Sequence, residues 1–479
     1  MRRKNMQHNF LYEQISKDIS SAINDGEYHF NSRLPSLREV SEMYSVSMAT
    51  AIQAYQTLED KGLIESRPKS GYYVTSMLNK QIAQPAISQP TVTPTTVTVA
   101  QLAMTIVNDA RQPRVVNLGA AVPGTDVLPL GQLARSMAGV SRREWKAAGN
   151  YEDARGNEVL RKEITRLMRD TGCRCKADEI IITNGCLEAL NLALRTVAKP
   201  GDTIAIESPT YFGILQTIEN LGMRALEIPT HPAHGIEPDA LKHALKKQKI
   251  SACILIPSFS NPLGSCMPEK NKQDIVALLE KAKIPLIEDD VYGFLSYEQP
   301  RPKSAKSYDK TGNVIYCSSF SKTVAPGIRI GWMIPGRFTE QVAYQKFLDN
   351  ISTAVHPQLA LAEIIHRGQF KKAVRQSARL YQHRMEQLRY WITEYFPEGT
   401  RLTVPQGGFV IWLELPKQID ALELYRKAME KRISISPGQL FSSQTQYKHH
   451  IRLSCGAVDG ELAHKSVKTL GKLAKNLCY

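Results

Sequence analysis

Between residues 179 and 334 six short apolar runs recur, at 179–183, 203–207, 252–257, 284–288, 313–317 and 331–334. Helix-like stretches such as 187–197 and 269–283 lie between them. Alternation of this kind predicts an α/β domain with a large, mostly parallel sheet. From about residue 345 the pattern changes to long helices, then short strands at 409–415 and 450–454, which predicts a smaller α+β C-terminal lobe. No internal repeat is present.

The first 76 residues follow another rule. Leu11, Ile15, Ile19, Ala22 and Ile23 share one helix face, and Gly26 ends that helix. Ser36 and Glu39 form a capping box that opens a helix running to about Met43. Ser47 caps the next, whose inner face carries Ala51, Ala54, Tyr55 and Leu58 and which Gly62 terminates. Two short strands, 63–66 and 72–74, flank the turn Arg67-Pro68-Lys69-Ser70-Gly71. Helix, helix, turn, helix, β-hairpin is an α+β winged helix-turn-helix. Between the two regions Pro85, Pro90 and Pro94 are interleaved with Thr, Val and Gln, as in an extended linker. The expected organisation of this multidomain chain is 9–76, a linker over 77–104, and 105–479.

A chain of 479 residues exceeds one core and fits two or three domains. No apolar run reaches the length of a membrane span, so no membrane partner is expected. Eight scattered cysteines read as reduced thiols in a cytoplasm, and neither Cys173 with Cys175 nor the paired His449 and His450 has metal-ligand spacing, so no metal is expected. The net charge of +15 permits a nucleic-acid partner, but residues 1–76 hold nine basic and nine acidic side chains, so the excess lies entirely in 77–479.

The most informative residue is Lys322. The strand 313–317 delivers Ser319-Phe320-Ser321-Lys322, and Arg329 follows seven residues later. An amine at the end of a buried strand is costly unless it is used. A Schiff base with pyridoxal 5′-phosphate (PLP) is one such use, with nearby Ser and Arg holding the phosphate.

Two resemblances follow from these motifs. Residues 10–76, with Arg33-Leu34-Pro35-Ser36-x-Arg38-Glu39 and Ser70-Gly71-Tyr72-Tyr73-Val74, resemble the winged helix of GntR-type regulators. Residues 105–479 resemble fold-type I PLP aminotransferases, and the fusion is similar to the MocR subfamily of GntR regulators. That resemblance implies a role for each matching residue. Lys322 carries PLP. Asp289, in Ile287-Glu288-Asp289-Asp290-Val291-Tyr292, pairs with the pyridinium nitrogen, with Asp290 the alternative. Tyr292 and Asn261, the latter in Asn261-Pro262-Leu263-Gly264, reach the ring's phenolic oxygen. Gly185, Cys186 and Leu187 open a helix that receives the phosphate, with Ser319 and Arg329 closing the cradle. Leu187 lacks the polar side chain often found there. Tyr211 stacks on the ring, Tyr151 reaches the phosphate of the neighbouring subunit in a head-to-tail homodimer, and Arg452 clamps an α-carboxylate.

On the DNA side, the helix from Ser47 would enter the major groove of double-stranded DNA, with Ser47, Met48, Thr50 and Gln53 as candidate contacts. Arg38 and the wing residues Arg67 and Lys69 would meet phosphate or the minor groove. Met48 stands where the family commonly has arginine, so apolar contact with a thymine methyl replaces a hydrogen bond. The chain is therefore expected to be a PLP-dependent transcriptional regulator that senses an amino acid or amine through aldimine formation on Lys322. Alternatives are an active aminotransferase with a DNA-binding appendage, or a DNA-binding dimer using the large domain as scaffold; the intact set of PLP residues argues against the last.

Overall fold

The computed structural model describes residues 11–24, 27–28, 32–61, 63–68, 70–75, 82–458 and 460–478. Gly26, Gly62 and Lys69 lie outside them. The chain forms two bodies, which are taken separately.

In the first, α1 (Leu11–Asn24), α2 (Leu37–Met43) and α3 (Met48–Asp60) are followed by β1 (Ile64–Arg67) and β2 (Gly71–Val74), paired antiparallel. The caps behave as their residue types dictate. Ser36 Oγ accepts from the Glu39 amide, and the Glu39 carboxylate accepts from the Ser36 amide at 2.6 Å. Ser47 Oγ accepts from the Thr50 amide at 3.2 Å. The apolar stripe of α1 buries Ile15, Ile19 and Ile23 against Ala51, Ala54, Tyr55 and Leu58 of α3. Each buried isoleucine or leucine stabilises the module by ~1.5–3 kcal/mol. Tyr55 is fully buried, and its hydroxyl donates to the Pro35 carbonyl at 2.7 Å, tying α3 to the start of α2.

The stretch expected to be a linker differs from that expectation from residue 82 on. β3 (Thr95–Thr96) adds an antiparallel edge to the large sheet through Thr95↔Ala225, and α4 (Ala100–Asp109) follows. Val97 and Val99 are buried in the core of the second body, so their apolar area outweighs the extended character of the proline-rich stretch.

The sheet of the second body runs Thr95–Thr96, Arg224–His231, Thr203–Ser208, Ala252–Leu255, Leu286–Asp289, Val314–Ser319, Gly331–Ile334, Ile181–Thr183, with Gly235–Ile236 paired to Arg224–His231. The central pairs are parallel; Gly331–Ile334 runs against both its neighbours. Helices cover both faces with Ile, Leu, Val and Ala side chains. The smaller lobe holds an antiparallel four-stranded sheet, Arg401–Leu402, Val410–Glu414, His450–Ser454 and Ser436–Pro437. In α/β sheets of this type the C-terminal strand ends form the binding crevice, and those ends position the site here.

Candidate functional site

A cavity of about 380 Å³ opens at those strand ends. Leu286–Asp289 delivers Asp289 in register with Cys317, and Val314–Ser319 ends on Ser319, three residues before Lys322. Asn261 and Tyr211 come from the turns that follow Ala252–Leu255 and Thr203–Ser208. Arg452 comes from the middle strand of the small sheet, opposite Trp412 and Ser436. The cavity is lined by Lys322, Asp289, Tyr292, Asn261, Arg329, Ser319, Cys186, Leu187, Tyr211 and Arg452 together. Tyr151 is not among them: it stands 79% exposed.

Lys322 Nζ donates to the Ala121 carbonyl at 2.6 Å and lies 6.0 Å from the centre of the Tyr292 ring. Burial, helped by the positive charge of Arg452, brings its pKa down to about 8. Asp289 takes hydrogen bonds from the Val291 amide at 3.2 Å and the Cys186 thiol at 3.6 Å, both on Oδ1. Burial raises its pKa to about 6 against those bonds. Asp290 is otherwise engaged. Both its oxygens bind Arg301, at 3.0 and 2.8 Å, and Oδ2 also accepts from the Tyr316 hydroxyl at 2.7 Å. Of the two neighbouring carboxylates, Asp289 is the one at the cavity.

Gly185 adopts φ +85°, and a Cβ there would strike the Arg329 guanidinium. Arg329 is itself left-handed at φ +54°, and its side chain bends over this turn to donate to the Asn184 carbonyl at 2.9 Å and to Ser321 Oγ at 3.5 Å. The turn opens the helix Cys186–Val197, whose first two residues, Cys186 and Leu187, line the cavity together with Arg329 and Ser319. Arg452 is 1% exposed. It donates to Asn261 Oδ1 at 2.9 Å, to Ser436 Oγ at 3.0 Å and to the Gly119 carbonyl, and its Nε has no partner. It makes no ion pair among the described residues, and burial lowers its pKa to about 10. Burial raises the Tyr211 phenol to about 12, and Tyr292, beside Asn261, is also raised by burial.

These features fit PLP. Four cations, Arg111, Lys322, Arg329 and Arg452, line a cavity whose only acidic side chain among the described residues is Asp289, so the site favours anionic groups. A glycine-opened helix start beside Arg329 and two serines suits a phosphate. A buried carboxylate across from a lysine of lowered pKa suits a pyridinium nitrogen and an aldehyde. Sequence reasoning missed Ser321, Arg111 and the Gly119–Ala121 backbone. Ser321 was legible as the second serine of Ser-x-Ser-Lys; the other two carry no local signal and are brought in by the fold.

On the winged helix, Arg38, Met48 and Gln53 are exposed. Ser47 and Thr50 bond each other at 2.8 Å. Ile52, one turn after Met48, is 37% exposed beside Met48 at 44%, and was missed. Arg67 lies 2.7 Å from Glu65 and stacks 4.1 Å over Tyr73. Among the described residues no helix is long and apolar enough to cross a membrane, and no metal-ligand cluster occurs.

Comparison with known proteins agrees with this geometry. The family "Aminotransferase class I and II" matches residues 113–470, and "Bacterial regulatory proteins, gntR family" matches 11–74. The chain is 35% identical to the HTH-type transcriptional regulator YjiR of Escherichia coli, over 96% of this chain and 98% of that protein. It is also 35% identical to the HTH-type transcriptional regulator YdcR of the same organism, over 96% and 98%. Among solved structures, Pyrococcus horikoshii kynurenine aminotransferase, in complex with PMP, superposes with a TM-score of 0.74 at 27% identity, covering 79% of this chain and 95% of that one. The α-aminoadipate aminotransferase LysN of Thermus thermophilus, complexed with a phosphopyridoxyl-leucine, gives 0.72 at 26% identity, over 78% and 95%. A winged helix joined to a PLP-binding domain of this kind places the chain in the MocR subfamily of GntR-type transcriptional regulators, with PLP as its cofactor.

Proposed function

We propose that this regulator senses an amino acid in the cavity that holds PLP, and that occupancy of the cavity changes its affinity for DNA. The observation that carries the reading is Arg452, a cation 1% exposed that makes no ion pair among the described residues, in the same cavity as Lys322. A buried, uncompensated guanidinium is costly in the free protein and is satisfied by an incoming carboxylate. When bound, PLP supplies an aldehyde that reacts reversibly with amines and a pyridinium ring that withdraws electrons. The residues of this chain do the rest. With PLP bound, Asp289 would hold the ring nitrogen's proton, Tyr292 and Asn261 would donate to the phenolic oxygen, Tyr211 would pack against the ring, and Gly185, Cys186, Leu187, Ser319 and Arg329 would hold the phosphate. Lys322 is the covalent seat, and Arg452 orients the ligand by its α-carboxylate.

Titration of the PLP-loaded protein with amino acids, followed by absorbance, tests this. Arg452→Met is expected to weaken the response to amino acids by at least ~30-fold, the loss of a buried charge-assisted pair. The response to amines without a carboxylate should be unchanged. Equal responses of parent and variant to amino acids would refute the assignment.

An active aminotransferase is the second reading, supported by the complete set of Lys322, Asp289, Tyr292, Asn261 and Arg329. Sustained turnover of an amino acid with a keto acid would favour it over sensing.

In the DNA-binding module Met48, Ile52 and Gln53 form the outer face of α3 and meet base edges in the major groove, with apolar contact to thymine methyls. Arg38 and Lys69 meet phosphate; Arg67 must first leave Glu65. Deleting residues 1–76 should abolish sequence-specific binding to the promoter fragment. Arg38→Ala should weaken it several-fold on all sequences, with a shallower salt dependence by about one unit of slope. Wild-type binding by the truncated chain would sink the assignment. The protein acts in the cytoplasm as a head-to-tail homodimer. The exposed Tyr151, together with exposed Trp145, Tyr344, Phe347 and Leu348, supports a partner subunit. Tyr151 then serves the neighbour's phosphate site.

A further inference from the structure

We infer that the PLP-binding body itself carries a contact surface for the DNA backbone, on the first half of the helix Gln369–Tyr395. The inference rests on the DNA-binding reading above and goes beyond the winged helix. Charge bookkeeping motivates it. The winged-helix region is net neutral, while the whole excess of 15 positive charges lies in residues 77–479. A neutral reading head has little of the electrostatic, sequence-independent attraction that dominates affinity for a phosphate polymer.

The excess is not evenly spread. From Ile364 to Met385 the chain holds no aspartate or glutamate, yet six lysines and arginines. Three of those are neutralised: Arg367 by Glu363, Lys371 by Asp170 and Arg384 by Asp126. Lys372, Arg375 and Arg379 make no ion pair among the described residues. Helical periodicity puts these three on one side. Ala373, Val374, Ser377 and Ala378 face inward and are buried, whereas Lys371, Lys372, Arg375, Gln376 and Arg379 are exposed. The exposed set, with Gly368, lines a shallow groove of about 380 Å³. It adjoins a second cavity that shares Lys371 and Arg375, where Asp170 is the only acid. Lys372 to Arg379 spans ~10 Å along the axis, with a cation on each turn.

A solvated helix face normally interleaves both signs. A face of one sign over two turns repels itself and is stabilised by a polyanion. Its shape selects the occupant. The groove is open, and three of its four cations, Lys372, Arg375 and Arg379, are exposed and make no ion pair among the described residues, which suits a continuous phosphate backbone and not a small anion needing a closed, preformed cage.

The test is a salt titration of binding to a promoter fragment by the full-length, PLP-loaded protein. The triple variant Lys372→Gln/Arg375→Gln/Arg379→Gln is compared with the parent and with Arg375→Lys/Arg379→Lys. All substituted side chains are exposed, and the visible absorbance of the bound cofactor and the amino-acid response report that the fold and the sensing site are intact. If the three cations each meet one phosphate, the slope of log K against log salt falls by about 2–3, at ~0.9 per contact, and affinity at ~0.1 M salt falls at least ~10-fold. The lysine variant should keep the parental slope. An unchanged slope and affinity in the triple variant would overturn the inference and leave the winged helix as sole contact. Failure of the parent itself to bind promoter DNA would overturn both.

Discussion

Lys322→Ala is expected to abolish the visible absorbance of lysine-bound PLP, and borohydride treatment should then fix no adduct on the 322 peptide. The promoter response to amino acids should vanish with it, while apo-protein binding to DNA persists. The structure gives the amine its reactivity. An unperturbed lysine with a pKa of 10.5 is almost entirely protonated near neutrality, but burial and the neighbouring Arg452 bring Lys322 to about 8. About a tenth of the molecules then hold a free amine at pH 7, so PLP uptake by the apo protein should quicken with pH and level off above about pH 8. The same shift makes Lys322 a stability liability. Its folded pKa is depressed, so the folded apo protein holds the cation at a cost below pH 8, and that cost is relieved as pH rises from about 8 through 10.5. At neutral pH the alanine variant should therefore melt no lower than the parent apo protein. A variant that keeps the visible band would refute the seat of the cofactor.

Asp290→Asn should lower the stability of the apo protein by ~3–5 kcal/mol, whereas the same change one residue earlier should not. Asp290 is fully buried in a two-oxygen pair with Arg301, so an amide strands the guanidinium in the interior without its counter-charge. Asp289 is the reverse case. Its folded pKa is raised to about 6 from 3.8 by burial, so its ionised form is a burden on the folded apo protein once the pH exceeds about 6. That burden is on the order of 3 kcal/mol at neutral pH, and asparagine removes it. On the proposed role, Asp289→Asn removes the charge that would hold the ring nitrogen's proton, so PLP should bind more weakly with an altered absorbance spectrum. Denaturant unfolding of both apo variants and a PLP titration decide the matter. Equal destabilisation by the two substitutions would mean that they do not divide the work as described.

Most strand and helix positions were legible because their residues obey local rules. The capping box at Ser36, the N-cap at Ser47 and the apolar stripe of α1 isoleucines appear where those residues put them. The strand Arg224–His231, the longest of the large sheet, was not legible. Arg224, Glu227 and Pro229 break its apolar pattern, and Glu227 is tolerated in the interior because Ser208 donates to one of its oxygens and Ser442 and Ser443, more than two hundred residues away, donate to the other at 2.8 and 2.6–2.9 Å. The proline-rich stretch read as linker for a related reason. Its few valines gain a core only when the sheet edge at Ala225 is present.

The sequence by itself determined the two-part plan, the caps and the order along the chain of the motifs that gather at the cavity, Lys322 among them, because short-range periodicity and turn chemistry depend on neighbours within a few residues. Only the tertiary structure separated Asp289 from Asp290, left Arg452 without an acidic partner, and gathered unpaired cations on one helix face. Those outcomes depend on which distant groups share a low-dielectric space with each charge, and spacing along the chain carries no record of that.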